Sequence, residues 1–279
     1  MIPLPVPKLK NLALLILLLA NLLLAAVLIP NRMEQAREAE QMRRSLQDLC
    51  AGQQVAVDPA AIPDTVTLYA LELSEDNRSG LQAATALLGE QVLVQDDSTR
   101  YLSQYSARTG TCQVGRSGSF RAVLEGGEEV RDLSRAAKKL LKAMGYQTTG
   151  LSEPVRQSPG IYTVAAGQAI LGMPVFSDGL TLTWSNNVLS SISGVFYTGS
   201  MARVSDAPCL SAADALVAFL SARFDLGWVG SAVTTMEQGY LRSETAAAAV
   251  VRLTPVWRLD TDTGSFYVDG ISGQVTVVP

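Results

Sequence analysis

Asp262-Thr263-Gly264-Ser265 is the run in this chain that most suggests chemistry. An aspartate in that setting cleaves peptides only when a second aspartate shares its proton. That needs another copy of the motif or a dimer, and the chain holds one copy. Asp-Thr-Gly is also common turn chemistry, and here it falls where two strands must be joined. A hairpin turn is the expectation. Ser117, in Gly115-Arg116-Ser117-Gly118, lacks the G-x-S-x-G spacing of a nucleophile elbow. Histidine is absent from all 279 residues, which removes the commonest general base and the commonest zinc ligand. Cys50, Cys112 and Cys209 are far apart, odd in number and without metal-ligand spacing. They fit either buried free thiols or a Cys112–Cys209 bridge. Asp96-Asp97 and Glu128-Glu129 read as solvated acidic pairs. No catalytic residue, cofactor, metal or small-molecule substrate is expected.

Asn21 offers chemistry of another kind. It is the single polar residue in the apolar run 12–29. As a helix the run spans about 27 Å, close to the hydrocarbon thickness of a bilayer. An amide in mid-membrane seeks a partner on a neighbouring helix. Asn21 and Ala25 are one turn apart on one face, flanked by Leu14, Leu17, Leu18 and Leu28. Together these six residues form a candidate contact for a partner helix. The run exceeds the ~7–15 residues of a signal-peptide core and no A-x-A site follows it, so it reads as an uncleaved anchor. Lys8 and Lys10 precede it, and Arg32, Arg37, Arg43 and Arg44 follow it. Counting Lys and Arg alone leans towards a cytoplasmic C-terminal side. The short lysine-bearing tail leans the other way. The reading adopted places the N-terminus in the cytoplasm and the C-terminal domain outside.

The elements behind the anchor read as α+β. Residues 1–11, with alternating prolines, form a cytoplasmic tail; 12–29 is the transmembrane helix; 30–51 is a helical stalk with too few apolar heptads for a coiled coil. In 52–127 the pattern predicts strands at 65–73, 91–95, 100–107, 111–114 and 119–124, with a helix at 80–89. A first helix-plus-sheet unit occupies 128–207. Its helix, 128–144, buries Val130, Leu133, Ala137, Leu140, Leu141 and Met144, while Arg131, Arg135, Lys138, Lys139 and Lys142 form a solvated face. Strands follow at 160–171, 180–184 and 188–197. A second unit occupies 208–279. Ser211 caps its helix with Asp214 at N3, and the helix runs to about 226 with Leu216, Phe219, Leu220 and Phe224 buried. Its strands are 232–242, 246–259, 265–269 and 274–278. Met173-Pro174-Val175-Phe176 and Thr254-Pro255-Val256-Trp257 recur in these units, each expected to lead into a turn and an aromatic strand. A fainter third copy falls at 80–125. Trp184, Trp257, Phe266 and Tyr267 are expected to pack in the core. The net charge of −4 offers no phosphate-binding surface, so nucleic acid is not an expected partner.

Residues 253–277 carry Pro255-Val256-Trp257-Arg258-Leu259, then Gly264-Ser265-Phe266-Tyr267-Val268-Asp269, then Gly273-Gln274-Val275. This resembles the end of a PepSY-type module, in which a P-x-W strand, a Y-V-(D/N) strand and a closing G-x-V turn recur. Such units behind a leucine-rich anchor around an Asn, here Leu17-Leu18-Leu19-Ala20-Asn21-Leu22-Leu23-Leu24, resemble the YycH/YycI regulators of Gram-positive bacteria. The resemblance covers the anchor and the chain from about residue 128 onward. It implies regulation rather than catalysis: a single-pass accessory that contacts a membrane sensor histidine kinase, commonly alongside a sister regulator. An extracytoplasmic binding or assembly module, such as a PepSY-type protease inhibitor or an envelope scaffold, is the alternative.

Overall fold

The structure is a computed structural model. It describes residues 40–74, 77–97, 102–243 and 251–278, with Leu17 and Arg37 as isolated positions. The expected tail 1–11, the membrane helix 12–29 apart from Leu17, and most of the first part of the stalk lie outside the described residues. Among the described residues, no helix is long and apolar enough to cross a membrane.

The helices are α1 (40–52), α2 (Asn77–Leu88), α3 (Leu133–Ala143) and α4 (Ala212–Ala222). The strands, in chain order, are β1 (Ala56–Val57), β2 (Leu71–Ser74), β3 (Leu93–Asp97), β4 (Leu102–Ala107), β5 (Gly110–Gly115), β6 (Ser119–Leu124), β7 (Thr148–Leu151), β8 (Val155–Ser158), β9 (Ile161–Ile170), β10 (Met173–Ser185), β11 (Val188–Val195), β12 (Ser200–Arg203), β13 (Ala232–Ser243), β14 (Arg252–Thr261), β15 (Ser265–Asp269) and β16 (Val275–Val277). The fold is α+β with a large, mostly antiparallel mixed sheet.

That sheet divides into two halves, each with its own core. In the first half, β3–β11 carry α2 and α3 over a core that includes Ala84, Leu141, Val164, Leu182, Trp184 and Ile192. In the second, β1, β2 and β12–β16 carry α1 and α4 over Leu46, Cys50, Leu216, Phe219, Leu253, Trp257 and Leu259. The long strand β10 belongs to both. It pairs along β9 and β11 in the first half, and Val175 lies parallel to Tyr240 of β13 in the second.

Helices α3 and α4 form near the expected places, and a side-chain cap sets where each one starts. Asp132 accepts the Arg135 amide at 2.9 Å, which starts α3 at Leu133 rather than at 128. Leu133, Ala137, Leu141 and Met144 are buried, while the basic residues of that segment are exposed. Ser211 accepts the Asp214 amide at 3.1 Å and donates its hydroxyl to the Asp214 carboxylate at 2.6 Å. Trp184, Trp257, Phe266 and Tyr267 are all buried.

Other expectations are corrected. The segment 52–127 is split between the halves: β1 and β2 join the second, α2 and β3–β6 the first. The reason is an uncovered edge. β15 is shorter than β14 and leaves Arg252 and Leu253 bare, and β2 fills that gap through Glu72 and Leu71. Met173-Pro174-Val175-Phe176 leads not into a turn but along one strand, with a register shift between Pro174 and Gly179. Gly179 lies so close to β9 that an added Cβ would strike the Ala166 carbonyl. Helix α4 stops at Ala222 rather than 226. The chain curls there through Trp228 N–H to Arg223 C=O (2.9 Å), with Gly227 at φ 68, and Phe224 is thrown outward, 75% exposed.

Residues 65–70 are not a strand either, because a side chain supplies their pairing. The Gln238 amide accepts from Val66 N–H at 2.9 Å and donates to Val66 C=O at 2.8 Å. Gln168 does the same for Tyr197, at 2.9 and 3.1 Å. Both glutamines are buried, Gln168 on β9 and Gln238 on β13, and each acts as a one-residue sheet partner. Gln238→Leu is expected to remove two part-buried hydrogen bonds to the Val66 backbone and to cost about 1–2 kcal/mol. Urea unfolding measures the cost, and loss of hydrogen-exchange protection at the Val66 amide locates it.

Candidate functional site

Of the residues proposed to meet a partner helix, Asn21, Ala25, Leu14, Leu18 and Leu28 lie outside the described residues, and Leu17 is helical and exposed. What the structure describes is how the segment behind them enters the second half. The Arg43 guanidinium donates to Ile62 C=O at 3.2 Å and pairs with Asp64 at 2.6 Å. Leu46 and Cys50, one turn apart on α1, are buried in the core with Val55, Leu216 and Phe219. So α1 is not a free stalk at this end. Its last two turns are part of the core, and Val55 N–H closes the helix on Cys50 C=O at 2.9 Å.

Between the halves lies an open cleft of about 700 Å³. Its walls are β7 (Thr149) with Ser152 just after it, β9 and the irregular stretch of β10, with Glu237 and Arg258 on the far side. Phe176 reaches across from β10 to the second half, where its ring lies 5.6 Å from Tyr267. Asp178 accepts the Tyr197 hydroxyl. Burial, and then that bond, hold the Tyr197 phenol far above its usual range, so it stays protonated. On the opposite wall Arg258 donates to Asp260 at 3.0 Å. Burial pushes the Asp260 carboxyl up, but the Ser265 and Thr235 hydroxyls and the Arg258 charge outweigh it and keep the group below its usual range. Asp178 is thus engaged by the Tyr197 hydroxyl, and Arg258 by Asp260.

The remaining motifs take structural roles. Asp262-Thr263-Gly264 is the turn between β14 and β15, closed by Thr261 Oγ1 donating to Gly264 C=O at 2.7 Å. The Ser231 amide, at 2.8 Å, holds the Asp262 carboxyl below its usual range, the opposite of an aspartate that must share a proton. Ser117 lies in the β5–β6 turn, where Gly118 N–H bonds Gly115 C=O at 2.9 Å. All three cysteines are free and buried, Cys112 in the first core and Cys50 and Cys209 in the second, so the bridge does not form. Burial raises the Cys112 thiol to about 12, which leaves almost no reactive thiolate at neutral pH. Asp96, Glu128 and Glu129 are exposed, and among the described residues no cluster of three or more metal-donor side chains occurs.

Sequence reasoning missed Gln168, Gln238, Tyr197 and Asp178. A signal existed for the first: Gln168 interrupts an otherwise apolar or small-residue stretch, Val164-Ala165-Ala166-Gly167-Gln168-Ala169-Ile170.

No family model matches this chain, and no curated protein matches it. Among solved structures, it is similar to the crystal structure of an uncharacterized protein from Eubacterium rectale. The TM-score is 0.44 and the identity 9%, over 81% of this chain and 90% of that one.

Proposed function

We propose that this protein is a non-enzymatic, single-pass membrane regulator. Residues 12–29 anchor it with the N-terminus in the cytoplasm and the α+β domain outside. It contacts a sensor histidine kinase, alongside a sister regulator, and biases that kinase between two conformations through differential contact. The observation that carries this reading is the built-in end of α1. Helix α1, which follows the apolar run in the sequence, buries Leu46 and Cys50 in the core of the second half. The end of α1 nearest the domain is therefore a fixed point through which a shift of the anchor would act on the second half. Asn21 and its face carry the membrane contact.

The test is affinity recovery of membrane histidine kinases by the full-length protein, wild type beside Asn21→Leu. One interhelical hydrogen bond in lipid contributes about 0.6–2 kcal/mol, so the variant is expected to recover about three- to thirty-fold less kinase. If the wild type recovers no kinase, and deletion leaves kinase reporters unchanged, the proposal fails. The second reading, an extracytoplasmic protease inhibitor or envelope scaffold, draws on the strand-walled cleft between the halves. Co-purification with a protease or cell-wall enzyme in place of a kinase would favour it.

A further inference from the structure

Among the described residues, three polar or charged side chains are buried: Gln168, Gln238 and Arg223. The two glutamines satisfy their amides on backbone groups. Arg223 does not satisfy its guanidinium. The residue is 9% exposed, and its Nη1 is buried with no hydrogen-bond partner. A buried guanidinium without a partner is costly, and an apolar side chain of similar volume at that place would be better tolerated. Arg223 stands at the end of α4, with its guanidinium carbon 4.5 Å from the centre of the Phe224 ring. Its charge acts on the Cys50 thiol, which burial raises and the arginine charge partly lowers. Neither α1 nor α4 brings it an anion.

The same turn presents apolar side chains to solvent. Phe224 is 75% exposed and Val229 90%. These positions do not result from a loose loop. Trp228, between them, is buried with its ring 5.1 Å from Phe219, and its indole N–H donates to Thr261 at 3.2 Å. Asp262 accepts both the amide and the hydroxyl of Ser231, at 2.8 and 3.0 Å. The backbone of the loop 223–230 is therefore held at Trp228 and Ser231, with two apolar side chains outward and one cation inward. A preorganised surface of this kind loses little ordering entropy on binding.

We propose that the 223–230 loop is a docking surface for a segment of a partner protein that places one acidic side chain between apolar ones. The carboxylate takes the unpartnered edge of Arg223, in the two-pronged geometry that suits a guanidinium. The flanking apolar side chains cover Phe224 and Val229. The exposed Phe224 ring lies over the guanidinium and turns aside to admit the carboxylate. Asp225 is exposed within the loop and Asp262 borders it, and they disfavour a run of acids. The surface thus selects a single carboxylate in an apolar setting over a polyanion. This docking surface is independent of the identity of the partner that the anchor meets.

The experiment titrates full-length protein in detergent micelles with end-blocked decapeptides. One has a Leu-Glu-Phe centre in a Gly/Ser background; its twin has Leu-Gln-Phe. Intrinsic fluorescence is the readout, since Trp228 underlies the loop while Trp184 and Trp257 are buried in the two cores. The Glu peptide is expected to bind wild type about tenfold or more tighter than the Gln twin. In Arg223→Met that preference disappears while the melting temperature holds or rises. Val229→Ser weakens both peptides. Equal binding of the twins to wild type, binding of neither, or a preference that survives in Arg223→Met overturns the proposal. So does a fall in the melting temperature of Arg223→Met, which would mark the arginine as a structural residue.

Discussion

Trp257→Ala lowers the unfolding free energy of the second half by about 3–5 kcal/mol, the cost of emptying a buried indole site. Trp257 is fully buried on β14, at the centre of the core that Leu216, Phe219 and Val268 share. It also does a second job. Its indole N–H donates to Leu210 C=O at 2.9 Å, and Leu210 N–H in turn bonds Gly270 C=O at 2.6 Å. The ring thus fastens the lead-in of α4 to the sheet that α4 covers. The two contributions separate in Trp257→Phe, which keeps most of the apolar volume but leaves the Leu210 carbonyl without its donor. That variant is expected to lose about 1–3 kcal/mol. Urea unfolding followed by far-UV circular dichroism measures both. An alanine variant within about 1 kcal/mol of wild type would show that neither the ring nor its hydrogen bond supports the core.

What could be read before the structure was largely local in cause. Helix α4 begins where Ser211 and Asp214 place its cap, and the apolar stripe of α3 is buried as its 3.6-residue period requires. A cap or a period is decided within a few residues, so the chain spells it out. Strand pairing is decided elsewhere. Nothing in 65–73 announces that β2 completes β14, because the need for it arises from the shortness of β15, almost two hundred residues on. The run Met173-Pro174-Val175-Phe176 misled for a related reason. Its recurrence in both units suggested a following turn, but the glycine at 179 lets two strands approach closely enough to absorb the irregularity as a register shift. The site was the least legible part. Arg223 after an apolar helix looks like an ordinary basic residue placed to complement the helix dipole. Only the curl at Gly227, which exposes Phe224 and buries Arg223, separates it from that ordinary case.

Gly239→Val is expected to uncouple the two halves. Gly239 lies on β13 beside Tyr240, the residue that meets Val175 of β10. A Cβ built there would stand 2.6 Å from the Phe176 ring and 2.6 Å from the Pro174 carbonyl oxygen. The ring could turn away, but the carbonyl is backbone and part of the crossing strand. Adding a valine forces β10 off β13, at a cost typical of overpacking, about 1–3 kcal/mol or more. Because the crossing joins two separate cores, the damage is expected in cooperativity as much as in stability. Wild type should unfold in one calorimetric transition and Gly239→Val in two, with Trp184 reporting the first half and Trp228 and Trp257 the second. Phe176→Ala in the same chain should not restore the single transition, since the Pro174 carbonyl remains in place. Gly264→Ala is the control: no atom lies within 4 Å of its added Cβ, and it should behave as wild type. A single transition at the wild-type temperature in Gly239→Val would mean that the halves are coupled by the chain crossings near residues 74 and 197 rather than by this contact. In that case a push delivered through α1 would have to reach the first half by those crossings. If the transition splits, the contact of Val175 with Tyr240 is the joint through which the second half moves the first.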